Sequence, residues 1–500
     1  MLSVDDTWGR VEKFLGQTSE RRKMEVLSTI VQFILSMGAA VFVPLIMFIF
    51  GKIVGMKTGD AFMAALTLGI AFTGMNVITS FMTGAIQPAA EALADKTGLV
   101  LTTIDTGWPA MSAIAWAWPF GILCFPLLIV INIIMLTANK TSTLNIDLWN
   151  CWNLLFTCVL VRYACVTAGM SEVLSMVLAF VAAGIMVVIG LLIGDAWQPT
   201  IERLTGIPGV TVPHSMTYTA VIMLPFEKIM EHIPAIENKH VDAKYLRDHL
   251  GIFGQNSVMG IIIGIALGLV AYWDSSNVFG AWVDGSFVGG TFQNALTLGI
   301  QTATAMHLFP MVSKLFMEAL NPISDAVGDW MQSKFEGRDL YIGLDWPIVA
   351  GSNELWVLTI LLVPIELIWA VALAPSGLNS VLPFAGIINL CLAVPALFIC
   401  DGNLIKMIII GIIITPVYLI VSTAFAPACT DLARTYSPAS LGDATSITWS
   451  TLECPDYRYL AAQAFSGHIV YIVLFIGWLL LFVWLLKEMK KRNAAMKASE

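Results

Sequence analysis

Long apolar runs separated by short polar breaks set the pattern of this chain. Ile30–Phe50, Leu174–Ile193, Met259–Trp273, Leu404–Val421 and Ile469–Leu486 hold few charged residues, and several reach the roughly 20 residues that a helix needs to cross a bilayer. The breaks are rich in Gly, Pro, Ser and Asn, which end helices. The pattern predicts an all-α polytopic membrane protein with about ten to twelve spans.

One word in this pattern occurs twice. ALTLGI stands at Ala65–Ile70 and again at Ala295–Ile300. After the first copy come FTGMN (Phe72–Asn76), QPAAEALAD (Gln87–Asp95) and IDTGWPA (Ile104–Ala110). After the second come ATAMH (Ala303–His307), NPISDAVGD (Asn321–Asp329) and IGLDWPI (Ile342–Ile348). The offsets run 230, 234 and 238, so the order is kept with small insertions. Four stations in one order predict an internal duplication. In polytopic transporters such duplications are often inverted across the membrane, with the solute site where the halves meet.

Each half also carries a Trp-Pro pair after a polar turn, in GWPAMSAIAWAWPFG and LDWPIVAGSNELW. Proline suits the first turn of a helix, where its missing N–H costs nothing. Ser112 and Pro119 interrupt the first stretch, and Gly351, Ser352 and Asn353 the second, before either could cross. Both predict re-entrant helical hairpins, near 107–119 and 343–356, whose irregular backbone needs protein or water around it. Ordinary extramembrane loops are the alternative. QPAAEALADKTG and NPISDAVGDWMQSKFEG read as amphipathic helices along the membrane interface.

Composition agrees with the pattern. Of 500 residues, 57% are hydrophobic and only 12% charged, with a mean hydropathy of +0.80, too few charges to coat a soluble globule of this size. The net charge of −9 is spread over loops and gives no reason to expect nucleic acid as a partner. The tail KEMKKRNAAMKASE is basic and belongs in the cytoplasm by the positive-inside rule. The charged loop Glu227–His249 is placed on the same side. The acidic, Ser/Thr-rich stretch Pro427–Tyr459 reads as an external loop, where Cys429 and Cys454 could form a disulfide. Residues 1–23 are charged and hold no apolar h-region, so no cleavable signal peptide is expected. The organisation that follows is a polar segment at 1–23, a first transmembrane repeat at 24–250, a second at 251–426, the external loop at 427–465, and a last span with its basic tail at 466–500.

Candidate chemistry lies in polar residues within apolar surroundings, because such residues are costly there and mark pathways or sites. No phosphate loop, dinucleotide fingerprint or metalloprotease helix occurs, and neither a cofactor nor a metal is expected. Asp345, just before Trp346-Pro347, could accept hydrogen bonds from a polyhydroxylated solute or cap the helix that follows. His214 and Ser215 follow a proline at a break between spans. Trp149, Asn150 and Asn153 make one helix face polar and aromatic, which suits a sugar-like ligand or an interhelical contact. Asn76 and His307 stand at similar stations in the two repeats. Asn353 and Glu354 lie in the turn of the second hairpin, and Trp108 and Ser112 at the tip of the first. Glu366, mid-span in LLVPIELIWA, reads as a site residue or as half of an internal ion pair with Arg162.

With Asp147–Phe156, Pro213–Ser215, Ile342–Asp345, Val381–Phe384 and FGKIVGMKTGD (Phe50–Asp60) laid out, the chain resembles the galactitol-type enzyme IIC of the bacterial phosphoenolpyruvate-dependent phosphotransferase system, a relative of the ascorbate permeases. The resemblance runs from about Lys23 to the C-terminus. It implies a homodimeric multi-pass permease of the bacterial plasma membrane with an inverted-repeat core, two re-entrant hairpins and a separate dimerising scaffold. It also implies uptake of a polyol by an elevator-like movement, with phosphorylation by a separate soluble EIIB, itself served by EIIA, at the cytoplasmic face. Solute contacts carried over fall at Asn153, His214, Ser215 and Asp345. Asn153 stands where relatives more often have His, and Ser-Asn-Glu stands in the second hairpin in place of Gly-His, which leaves other hexitols and pentitols open beside galactitol. An ion-coupled secondary transporter of a small polar solute is the alternative.

Overall fold

The computed structural model describes residues 33, 39–97, 101–147, 149–334, 339–383, 385, 388–441 and 444–499. The chain is almost wholly helical there, as a bilayer requires, since a helix satisfies its own backbone hydrogen bonds. Among the described residues, five helices are long and apolar enough to cross a membrane. The first half runs α1 (Ala39–Ile53), α2 (Thr58–Thr97), β1 (Thr103–Asp105), α3 (Gly107–Trp116), α4 (Cys124–Thr137), β2 (Thr143–Asn145), α5 (Trp152–Thr167), α6 (Glu172–Thr205), β3 (Val210–Thr211) and α7 (Ala220–Glu231). The second runs α8 (Asn256–Ala271), an exposed hairpin of β4 (Ala281–Val283) and β5 (Ser286–Val288), α9 (Thr291–Lys334), β6 (Tyr341–Gly343), α10 (Asn353–Leu373), β7 (Val381–Leu382), α11 (Leu390–Ile399), α12 (Leu404–Tyr436), β8 (Ile447–Thr448), α13 (Pro455–Phe465) and α14 (Ile469–Ser499).

These helices pack as two groups. α1, α2, α8 and α9 lie mainly against one another, and most of the remaining helices form a second group around α5, α6, α10 and α12. Small residues set the first group. Gly260, Gly264 and Gly268 of α8 meet Ala303, Gly299 and Ala295 of α9 so closely that a Cβ on any of the three would come within 2.8 Å of the α9 backbone. In the first copy of ALTLGI, a Cβ on Gly69 would come within 2.9 Å of the Ala40 carbonyl. Both copies of the repeated word are therefore places where helices cross at short range, the usual role of small residues in membrane helices.

Two small parallel sheets lie in the second group, with strand orders β7-β1-β8 and β2-β6-β3. The centre strand of each comes from one half and both flanking strands from the other. β1 and β6 begin at 103 and 341, and β2 and β7 at 143 and 381, in each case 238 residues apart; β3 and β8 begin at 210 and 447, 237 apart. The hydrogen bonds recur as well. Tyr341 N donates to Ser142 O at 2.8 Å and Thr103 N to Ser380 O at 3.0 Å, while Leu344 N donates to Thr211 O at 2.9 Å and Thr106 N to Thr448 O at 3.0 Å.

Several expectations need correction. The two amphipathic segments are not separate helices. QPAAEALAD is the end of α2 and NPISDAVGD lies within α9, with Pro88 and Pro322 inside the helices. The stretch from Pro427 to Tyr459 is not an exposed loop either. Pro427 is inside α12, and residues from Ile447 to Arg458 are buried, because β8 needs partners within the second group. Cys429 and Cys454 are buried free thiols. Arg162 does not pair with Glu366; its guanidinium binds Glu172 at 2.7 and 3.1 Å. The polar segment 1–23 and Phe384 lie outside the described residues.

Candidate functional site

Parallel strands in one sheet end side by side, so the residues after them converge. In the β2-β6-β3 sheet those residues are Asp147, two positions after β2, Asp345, two after β6, and His214, three after β3. One ligand atom from each lies within 4.8 Å of the others. Proline at 347 and the Asp345 side chain start the next turn together, as Asp345 Oδ1 accepts from Trp346 N at 2.7 Å. Asp345 is thus a cap, and the same carboxylate also faces the imidazole, with 3.7 Å between Oδ1 and His214 Nε2.

The polar shell around this trio is dense. Asn150 donates from Nδ2 to Asp147 Oδ2 at 2.6 Å. Asn153 Nδ2 lies 3.4 Å from His214 Nε2, and its Oδ1 accepts from Arg458 Nη2 at 2.5 Å. Arg458 is fully buried, donates from Nε to Thr157 at 3.1 Å, and sits 5.2 Å from the centre of the Phe156 ring. Because Arg458 holds the Asn153 oxygen, the amide nitrogen is left facing the imidazole. On the other side of the ring, Nδ1 accepts from Met216 N at 3.3 Å and lies 3.6 Å from Glu453 Oε2. Glu453 also accepts from Ser215 Oγ at 2.5 Å. Three carboxylates thus lie around one imidazole, with a buried guanidinium held on Asn153 and Thr157 behind it.

Asp147, Asn150, Asn153, His214, Ser215 and Tyr218 line a cavity of about 40 Å³. That holds roughly three waters, far below the several hundred Å³ usual for a small-molecule site. The cavity is therefore narrow in this structure. Its donors and acceptors match vicinal hydroxyls, which give protons to carboxylates and accept them from amides. The Asp147–His214–Asp345 trio could also hold a cation.

Of the residues singled out in the sequence, Asp345, His214, Ser215, Asn150 and Asn153 come together here. Trp149 opens the turn at Trp149–Cys151, but its side chain is outside the described residues. Trp108 is half exposed with its ring against Trp152 at 6.3 Å, and Ser112 is buried in α3. Asn353 and Glu354 begin α10, where Glu354 accepts from Ser352 at 2.7 Å. Asn76 and His307 are exposed on α2 and α9, with His307 against Ser257 at 3.0 Å, away from the cavity lining. Asp147, Glu453 and Arg458 belong to the site although the sequence reading did not select them.

Comparison with known proteins agrees with this architecture. The chain is 29% identical over 465 residues to the PTS system galactitol-specific EIIC component of Escherichia coli (strain K12), covering 91% of this chain and 96% of the relative. The protein of the same description from Escherichia coli O157:H7 matches to the same extent. Residues 33–441 match the EIIC-GAT profile, described as the PTS system sugar-specific permease component. With its apolar helices, the chain is a multi-pass protein of the bacterial plasma membrane, and it belongs to the EIIC-GAT family of sugar-specific permease components of the phosphotransferase system.

Proposed function

We propose that this chain takes up a sugar alcohol, galactitol or a similar hexitol or pentitol, while a separate soluble EIIB, served by EIIA, phosphorylates it at the cytoplasmic face. The observation that carries this reading is the cavity lined by Asp147, His214, Asn150 and Asn153, with the half-buried Asp345 carboxylate close beside Asp147 and His214. Buried polar groups that a solute hydroxyl would satisfy reject analogues lacking it, because the groups would be left unpaired. Galactitol-specific relatives at 29% identity support the polyol class.

The recurrence of strands and hydrogen bonds at 238 residues supports a duplicated core, which we read as inverted across the membrane. Its Trp-Pro segments are re-entrant hairpins in this reading. The group α1, α2, α8 and α9, locked by Gly-to-backbone contacts, suits a rigid scaffold that also carries the homodimer contact, past which the second group slides as an elevator. Contacts between the tail and the Glu227–His249 loop, Arg492 Nη2 to Glu227 at 2.5 Å and Lys228 to Glu488 at 3.0 Å, support one cytoplasmic side for both.

The test is calorimetric binding of hexitols and pentitols to the purified protein, followed by uptake into liposomes with and without phosphorylated EIIB. Binding of one polyol and product appearing only with EIIB are expected. Accumulation driven by an ion gradient without EIIB would refute phosphotransfer coupling, and crosslinks showing an unchanged depth of 343–356 in all states would refute the elevator.

A further inference from the structure

The cavity wall has counterpart positions beside the other sheet. Moving 238 residues along the chain carries Leu128, in the cavity wall, to Glu366, and Cys151 to Asn389. Both are 1% exposed. Asp105 is the last residue of β1, the centre strand of that sheet. Its carboxylate accepts from Ser450 Oγ at 2.6 Å, Ser450 N at 3.1 Å and Gly107 N at 3.2 Å. Glu366 differs from it, because neither of its oxygens has a hydrogen-bond partner among the described residues. Asn389 begins α11, which packs against the helix α10 that carries Glu366. Asn389 uses its Oδ1 to cap α11, accepting from Leu392 N at 3.0 Å.

An ionised carboxylate buried without a partner is one of the costliest groups a protein can hold, more so inside a membrane. Arg162 cannot relieve it, being bound to Glu172. A metal or alkali cation would need several free oxygens. Here the oxygens of Asp105 already accept three hydrogen bonds, and that of Asn389 caps a helix.

We propose that Glu366, which the chain repeat relates to the wall of the polyol cavity, holds a proton as a neutral acid. This site does not depend on the identity of the transported solute, so its test can fail while the polyol reading stands.

Two measurements on the full-length protein test it. In the infrared difference spectrum of wild type against Glu366→Gln at neutral pH, the carbonyl stretch of a weakly bonded carboxylic acid is expected in the wild type alone. A membrane-soluble carbodiimide, which adds to protonated carboxyls, is expected to label Glu366 in wild-type membranes, as located by peptide mass mapping, equally with and without sodium. This second measurement needs no variant that folds. Absence of the acid band, failure to label Glu366, or protection of Glu366 by sodium would each overturn the proposal, the last by showing a cation site.

Discussion

The two three-stranded sheets share one backbone plan, yet the residues that follow their strands differ. After the strands of β2-β6-β3 stand Asp147, Asp345 and His214. At the corresponding places around β7-β1-β8 stand Ala385, Gly107 and Thr451. Gly107 takes a positive φ of 68°, and a Cβ there would lie 3.1 Å from that of Ala385. At the strand ends one frame therefore carries ionisable groups beside a cavity, and the other carries small side chains. Two sheets of one backbone plan can hold different chemistry at matching positions.

Substitutions can break this contrast, and the largest effect is expected at Arg458. Arg458→Leu removes charged hydrogen bonds to Thr157 and to the Asn153 side chain, worth about 1.5–3 kcal/mol each. A large fall in melting temperature in detergent checks it, and an unchanged melt would show that these bonds contribute little. Next come Asp147→Asn and Asp345→Asn. Each removes charge-assisted hydrogen bonds worth about 1.5–3 kcal/mol, so polyol affinity by calorimetry should fall roughly 10- to 100-fold with the fold kept. If Asp345→Asn binds normally, Asp345 is a cap and nothing more. Gly107→Ala, in the opposite sheet, should leave affinity untouched and lower stability by about 1–2 kcal/mol, the cost of a side chain at positive φ. A loss of affinity there would mean the second frame contacts solute. The smallest effect is expected from a chelator. If the trio serves hydroxyls, removing divalent cations leaves binding unchanged within error, and lost binding would reassign it as a cation site.

Much of this was legible in the sequence. Apolar runs and sparse charge indicate a membrane protein because the bilayer admits few other solutions. Asp345, His214, Ser215, Asn150 and Asn153 stand out because polar residues next to breaks in apolar runs are costly. Asp147 is harder to find, since it precedes its helix and only strand pairing brings it to Asp345. Glu453 and Arg458 are hidden by composition, as an acidic, Ser/Thr-rich stretch looks like a solvated loop. Carrying the offset of about 238 to the end of the chain sets that stretch opposite His214. Asn76 and His307 mislead for the opposite reason. Similar stations in two repeats say that the backbone recurs, whereas the exposure of these two on their helices comes from how α2 and α9 pack.

The exchange of strands between halves also bears on how the protein is made. β1 lies in the chain before residue 106, yet its neighbours end at 382 and 448. At about 5–20 residues per second, the ribosome needs roughly 15–70 s to supply both partners. Through that interval β1 lacks first both partners and then, once β7 is made, one of them, whereas β6 arrives to find both of its flanking strands already present. Biogenesis is therefore asymmetric even though the finished sheets are alike. Truncation anywhere before 448 leaves a polar strand exposed within the membrane-embedded half, a form that quality-control proteases can recognise.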